Sequence, residues 1–118
     1  NKIKFINIDI DKFSYNKYDF IVSNPPYISE SYINRLDSDI KFYEPITALK
    51  AGSDGLSEIK KLIKKSKKLL KKNGKLIFEI SYNQLHEVNK MLYKNNFFVS
   101  KISKDFQSYP RVITSSKL

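Results

Sequence analysis

Apolar and polar residues alternate along "KIKFINIDI" (2–10), and that period of two predicts a β-strand. A second strand is predicted at "YDFIVSN" (18–24), a short β-branched and aromatic run of the kind a parallel sheet buries. The pattern then breaks. Residues 28–52 show only weak helical potential around Glu30–Leu36 and read as a long loop. Long loops inside compact domains are often functional.

From Ser53 the period becomes helical. In "SDGLSEIKKLIKKSKKLLKKNG", Leu56, Ile59, Leu62, Ile63, Leu69 and Leu70 fall mainly on one face, with lysines around the rest. Ser53 or Asp54 suits the N-cap, and Gly74 suits the left-handed residue past the end. The lysine run reads first as a solvated outer face. "KLIFEIS" (75–81) is the next buried strand, followed by a helix from about Asn83 to Lys94. "FFVSKIS" (97–103) and "RVITSS" (111–116) then form an antiparallel pair around "KDFQSYP". Strand–helix alternation closed by a hairpin predicts an α/β sheet with one antiparallel member, in a single domain without repeats.

Composition narrows the chemistry. The 118 residues are 41% hydrophobic, as expected of a globular piece, and lack cysteine, which excludes disulfides and thiolate metal sites. One histidine leaves no zinc site to propose. No apolar run approaches the roughly 20 residues of a membrane helix, and no signal-peptide pattern opens the chain, so the cytoplasm is expected. The chain begins at Asn1 and enters a strand-like run at once, which reads as a domain entered partway. The net charge of +10 invites a nucleic-acid reading. Yet only Arg35 and Arg111 are arginines, and abundant Lys, Ile and Asn fit an A+T-rich genome at least as well as a phosphate footprint.

The chemistry concentrates where the second strand runs out, at Asn24-Pro25-Pro26-Tyr27. Two prolines cannot donate to a sheet ladder and hold the chain stiff and extended. In open α/β sheets, ligands bind beyond the carboxyl ends of the strands. The Asn24 side-chain oxygen and the Pro25 carbonyl make two acceptors at that place, suited to the two hydrogens of an –NH2 group. Tyr27 offers a flat face for a planar group. The bland alternative is a proline-rich strand terminator with an ordinary capping Asn.

"IVSNPPYI" resembles the signature of S-adenosylmethionine-dependent methyltransferases that modify planar amino nitrogens, adenine-N6 and glutamine-N5 enzymes among them. "FYEPITALKAGSDGLSEIKKLI" (42–63), "LIFEI" with Gln84 shortly after, and "KDFQSYPRV" (104–112) narrow the resemblance to peptide chain release factor glutamine N5-methyltransferases. The resemblance spans nearly the whole chain. It implies a class I, Rossmann-like methyltransferase sheet in the order 3-2-1-4-5-7-6, with a C-terminal antiparallel hairpin. "KIKFINI" would be strand 3, "DFIVS" strand 4, "KLIFEI" strand 5, and the last pair strands 6 and 7. Strands 1 and 2, with the glycine-rich cofactor loop, would lie upstream, so residues 1–118 would be the C-terminal portion of one catalytic domain, poorly stable and inactive alone.

The same resemblance implies the cofactor S-adenosyl-L-methionine. Asp9 would sit near the adenine and Ile10 would pack on it, with Asp11 a competitor for Asp9. Asn24, Pro25, Pro26 and Tyr27 would hold the substrate amide, with Asn24 also near the methionine end of the cofactor. The implied partner is the Gly-Gly-Gln loop of a release factor; a ribosomal-protein glutamine is the nearest competitor. DNA adenine fits the flanking segments less well, and a non-catalytic binding module is the alternative from another class. Glu44 and Pro45 are candidates for the substrate entrance and Glu79 for lining the site. His86 reads as a surface residue and Arg111 as a tie in the last hairpin.

Overall fold

The computed structural model describes residues 2–26 and 55–118. Helix α1 (Ser57–Leu69) forms because its apolar residues recur at helical spacing, and it buries Ile59, Leu62, Ile63 and Leu69 along one stripe. Strand β1 (Tyr18–Ser23) precedes it, and strand β2 (Leu70–Glu79) follows it directly. Helix α2 (Leu85–Lys94), entered through a 3-10 turn at Tyr82–Gln84, leads to β3 (Phe97–Lys104) and β4 (Pro110–Lys117).

The four strands form one sheet in the order β1-β2-β4-β3. β1 and β2 are parallel, and β4 lies antiparallel to both β2 and β3. This is the predicted α/β sheet with its closing hairpin, and the order matches strands 4-5-7-6 of the implied methyltransferase sheet. Leu76, Phe78 and Ile80 alternate onto one face and meet Ile59 and Ile63 of α1, Val88 and Leu92 of α2, and Ile113 of β4 in the core. The opposite face is open at β1, where Phe20 and Val22 are exposed. No helix among the described residues is long and apolar enough to cross a membrane.

Two local expectations are corrected. Residues 2–9 alternate as a strand would but carry no regular structure, and Phe5 is 93% exposed. Alternation makes a strand only where a neighbour supplies ladder hydrogen bonds, and among the described residues β1 pairs with β2 alone. The run ends instead in a 3-10 turn, Ile10–Lys12.

The second correction lies after α1. Leu70, expected on the helical face, already has extended backbone and pairs with Tyr18. The register then jumps to Phe20↔Lys75, so Lys71–Gly74 bulge out of the ladder. The left-handed residue there is Asn73 (φ 67°), not Gly74. Asn tolerates that region better than other residues with a Cβ. Gly74 is needed for space. A Cβ on it would meet the Lys71 carbonyl oxygen at 2.9 Å, and Leu70 Cδ2 and the Tyr18 carbonyl oxygen at 3.1 Å. The Ser53 and Asp54 caps lie outside the described residues.

Gly74→Ala must therefore push backbone apart where β1 and β2 first meet. A loss of about 1–3 kcal/mol is expected, read as a lower urea midpoint at unchanged m-value.

Candidate functional site at the ends of the parallel strands

The last paired residue of β1 is Ser23, opposite Phe78. Asn24 steps off the ladder at that point and is exposed, Pro25 is buried and Pro26 half-buried. The buried proline ring fixes φ, so the chain leaves the sheet on a rigid path. Neither the Asn24 carboxamide nor the Pro25 carbonyl makes a hydrogen bond among the described residues. Both acceptors therefore stand uncommitted at the carboxyl end of a parallel strand, where open α/β sheets bind ligands. Tyr27, Glu44 and Pro45 lie outside the described residues.

The half-buried Glu79 is the next residue of β2 beyond the Ser23↔Phe78 pair. By the alternation of the strand it lies on the face that carries Ile77, whose partner in β1 is Val22. The main chain of Glu79 pairs with Val112 of β4. A carboxylate is thus placed at the strand end, and the charged residue in "KLIFEI" was the sequence signal for it.

Beyond Glu79 the backbone is held by Gln84. Its side-chain oxygen accepts from Ser81 N (2.9 Å) and its amide donates to the Gly55 carbonyl (2.9 Å), with the residue only 4% exposed. Gly55 has φ 75°, so it turns sharply just before α1. Gln84 thereby ties the loop after β2 to the segment that enters α1. Sequence reasoning used this residue for the resemblance and missed its role: the Ser81 half is a local capping box that Ser-x-x-Gln (81–84) could have signalled, whereas the Gly55 half is set by tertiary contact.

The β3–β4 turn lies at the same end of the sheet, since Ile80 N donates to the Arg111 carbonyl (2.8 Å). Arg111 Nε donates to Asp105 Oδ2 (2.8 Å), while Asp105 Oδ1 accepts from Gln107 N (2.8 Å) and Tyr109 N (3.0 Å). The rings of Tyr82 and Tyr109 pack 4.8 Å apart, and the Arg111 guanidinium lies 5.8 Å from the Tyr82 ring centre. Arg111 is the expected hairpin tie. Its hydrogen bond, helped by the two backbone N–H groups, holds the Asp105 carboxyl below the usual carboxylate range.

Asp9 and Ile10 lie on the segment before β1. Asp9 Oδ1 accepts from Asp11 N (2.9 Å), and its other oxygen makes no hydrogen bond among the described residues. Ile10 is half-buried and lines an apolar cavity of about 520 Å³ with Phe13, Ile21 and Leu69. A free carboxylate oxygen next to an apolar side chain fits the needs of an aminopurine, an acceptor for its N–H and a surface for its ring. No hydrogen bond or ion pair joins Asp9 or Ile10 to Asn24. Asp11, the competitor, faces α1 instead, with Lys61 Nζ 3.7 Å from its carboxylate and Lys65 Nζ donating to its carbonyl (3.2 Å). Glu58 first and then Asp11 raise the Lys61 ammonium above its ordinary pKa. His86 is exposed on α2, as expected. No cluster of metal-ligating side chains occurs among the described residues.

Two outcomes follow from these ties. Gln84→Ala strands the buried Gly55 carbonyl and a backbone N–H, costing about 1–3 kcal/mol in denaturant unfolding. The Gln107 and Tyr109 amide proton shifts should titrate with a midpoint below about 3.9, the ordinary Asp value. A depressed pKa stabilises the folded state above the unfolded pKa, and that contribution is lost as pH falls through the folded one. In Arg111→Gln the midpoint should rise toward the ordinary value.

The model of the family described as Eco57I restriction-modification methylase matches residues 1–109. A protein named release factor glutamine methyltransferase from Fusobacterium nucleatum subsp. nucleatum is 46% identical over 101 residues, 86% of this chain and 28% of its own length. One of the same name from Clostridium acetobutylicum is 42% identical over 97 residues, 82% of this chain and 34% of its own. A bifunctional methyltransferase from Rickettsia prowazekii is 40% identical over 108 residues, 92% of this chain and 21% of its own. The chain thus spans about a third or less of the length of the curated relatives it matches. A methyltransferase from Pyrococcus furiosus superposes with a TM-score of 0.59 at 16% identity, over 88% of this chain and 43% of that one. A ribosomal protein L11 methylase from Lactobacillus delbrueckii subsp. bulgaricus does so with a TM-score of 0.53 at 19% identity, over 86% and 37%. These two likenesses establish the methyltransferase fold. With its sheet order, strand-end motif and match over residues 1–109, the chain belongs to the Eco57I restriction-modification methylase family and is a relative of the release factor glutamine methyltransferases.

Proposed function

We propose that this chain carries the methyl-acceptor side of a site that methylates the side-chain amide nitrogen (N5) of a glutamine, the one in the Gly-Gly-Gln loop of a peptide chain release factor. The observation that carries the proposal is the pair of uncommitted acceptors at Asn24 and Pro25, where β1 leaves the sheet. The names of the relatives support the glutamine and the release factor. The family description names a restriction-modification methylase, which makes an adenine amino group the competing acceptor.

The chain's part is positioning. The Asn24 side-chain oxygen and the Pro25 carbonyl accept the two amide hydrogens, orienting the nitrogen and increasing its electron density. Pro25 and Pro26 hold both acceptors on a path that does not reorganise during reaction, so the alignment is in place beforehand. Tyr27 supplies the flat face for the amide plane. Asp9 and Ile10 would hold the adenine of S-adenosyl-L-methionine, with Asn24 near its methionine end; when bound, this cofactor supplies an electrophilic methyl group. Held this way, the amide nitrogen would form its bond to that methyl carbon as the carbon–sulfur bond breaks and the sulfur leaves as a neutral thioether, and the nitrogen would then release one hydrogen as a proton. No strong base is needed before transfer, because the proton becomes acidic only afterwards. A release factor as substrate would make the cytoplasm the compartment of the reaction.

The test uses the full-length protein with labelled S-adenosylmethionine and a release factor. Asn24→Ala should lower kcat/KM by roughly 100-fold or more, and a Gln→Ala substrate should take no label. Label that persists without Asn24 would reduce the motif to scaffold, and label on adenine in DNA rather than on protein would reassign the acceptor.

A further inference from the structure

The lysines of α1 do not all point into featureless solvent. Lys64, Lys67, Lys68 and Lys117 line a groove of about 450 Å³ together with Asn95. Lys60, Lys64, Lys90 and Lys94 line a second of about 490 Å³, again reaching Asn95. Lys64 and Asn95 belong to both, so the two grooves form one basic channel along α1 and α2. Its single carboxylate, Glu87, is paired with Lys90 at 3.4 Å. The ammonium groups of Lys60, Lys64, Lys67, Lys68 and Lys94 have no ion pair or hydrogen bond among the described residues. Like charges gathered without partners repel one another, and an anion seated among them removes that cost.

We infer that this channel binds the sugar–phosphate backbone of RNA. Lys60, Lys64 and Lys68 follow one another at i, i+4 spacing, which sets them about 6 Å apart along the helix axis. That separation is comparable to the spacing of successive phosphates on one strand. No aromatic side chain lines either groove, so the contact reads backbone charge and not bases. Asn95 selects the sugar. Its Nδ2 donates to the Met91 carbonyl (2.8 Å), which leaves its Oδ1 as an acceptor for a 2′-hydroxyl. A bilayer is the poorer partner, because the apolar face of α1 is buried in the core and cannot insert. The channel also lies away from the methyl-acceptor end. Lys117 bonds the Leu70 carbonyl (2.8 Å) beside Tyr18, at the far end of β1 from Asn24. Bound RNA would therefore dock the protein without being its methyl acceptor.

The experiment measures fluorescence anisotropy of a labelled single-stranded RNA on the full-length protein across a salt titration. A combined Lys64→Gln, Lys67→Gln, Lys68→Gln and Lys94→Gln variant should weaken binding and reduce the log K against log salt slope by about 3, near 0.7 for each phosphate contact. Lys101→Gln with Lys104→Gln on β3 should leave the slope within about one unit of wild type. Circular dichroism checks that both variants fold. DNA of the same sequence should bind more weakly than RNA, as should polyglutamate and anionic vesicles. Equal affinity for DNA, preference for polyglutamate or vesicles, or equal loss in the β3 variant would each overturn the assignment. So would a slope unchanged in the channel variant.

Discussion

Burial along β2 is the constraint on which the other elements depend. Leu76, Phe78 and Ile80 are at most 1% exposed and belong to one core with residues of α1, α2 and β4. Burying side chains of this size contributes about 1.5–3 kcal/mol apiece, so the strand can be covered only if α1 and α2 dock on the same face. Docking α1 there explains its direct run into β2: Leu69 finishes the helical stripe, and Leu70 is already in the sheet. It also explains the bulge. The chain must reverse from helix to strand within Lys71–Gly74, which takes one left-handed Asn and one residue without a Cβ.

The candidate site sits where that packing ends. Because β1 is parallel to β2, both strands run out on the same side, with the uncommitted groups of Asn24 and Pro25 just past Ser23 and Glu79 just past its partner Phe78. Because β4 is antiparallel, the β3–β4 turn returns to that same side, with Arg111, Asp105, Tyr82 and Tyr109 joined in one cluster. Gln84 fixes the intervening backbone. The end of the sheet is therefore a set of polar and aromatic groups held from three strands. The opposite end, near Leu70 and Lys117, is strongly basic.

The open face of β1 has a different character. Phe20 and Val22 are exposed there, and residues 2–9 lie near them without entering the sheet. An apolar edge that is unpaired among the described residues is a site that natural sheets cover. The curated relatives are about three times as long as this chain, so chain beyond residues 1–118 is available in them.

Local patterning determined most of the element list. The stripe Ile59–Leu62–Ile63–Leu69 specified α1, the apolar runs specified β1 to β4, and two prolines after Ser23 marked where β1 must stop. Those signals are local because each rests on backbone sterics or on the spacing of side chains along one element. Tertiary structure decided the rest. "KIKFINIDI" has the period of a strand but pairs with no neighbour among the described residues, so it is not one. Gly74 was legible as a turn residue, but the carbonyls that forbid it a Cβ come from Lys71 and Tyr18, the latter on another strand. Phe78 beside Ser23, Gln84 bonding the Gly55 carbonyl, and the lysines of two helices lining one channel all join residues far apart in the chain. No period in the sequence encodes such meetings, because they follow from how the buried faces close on one another.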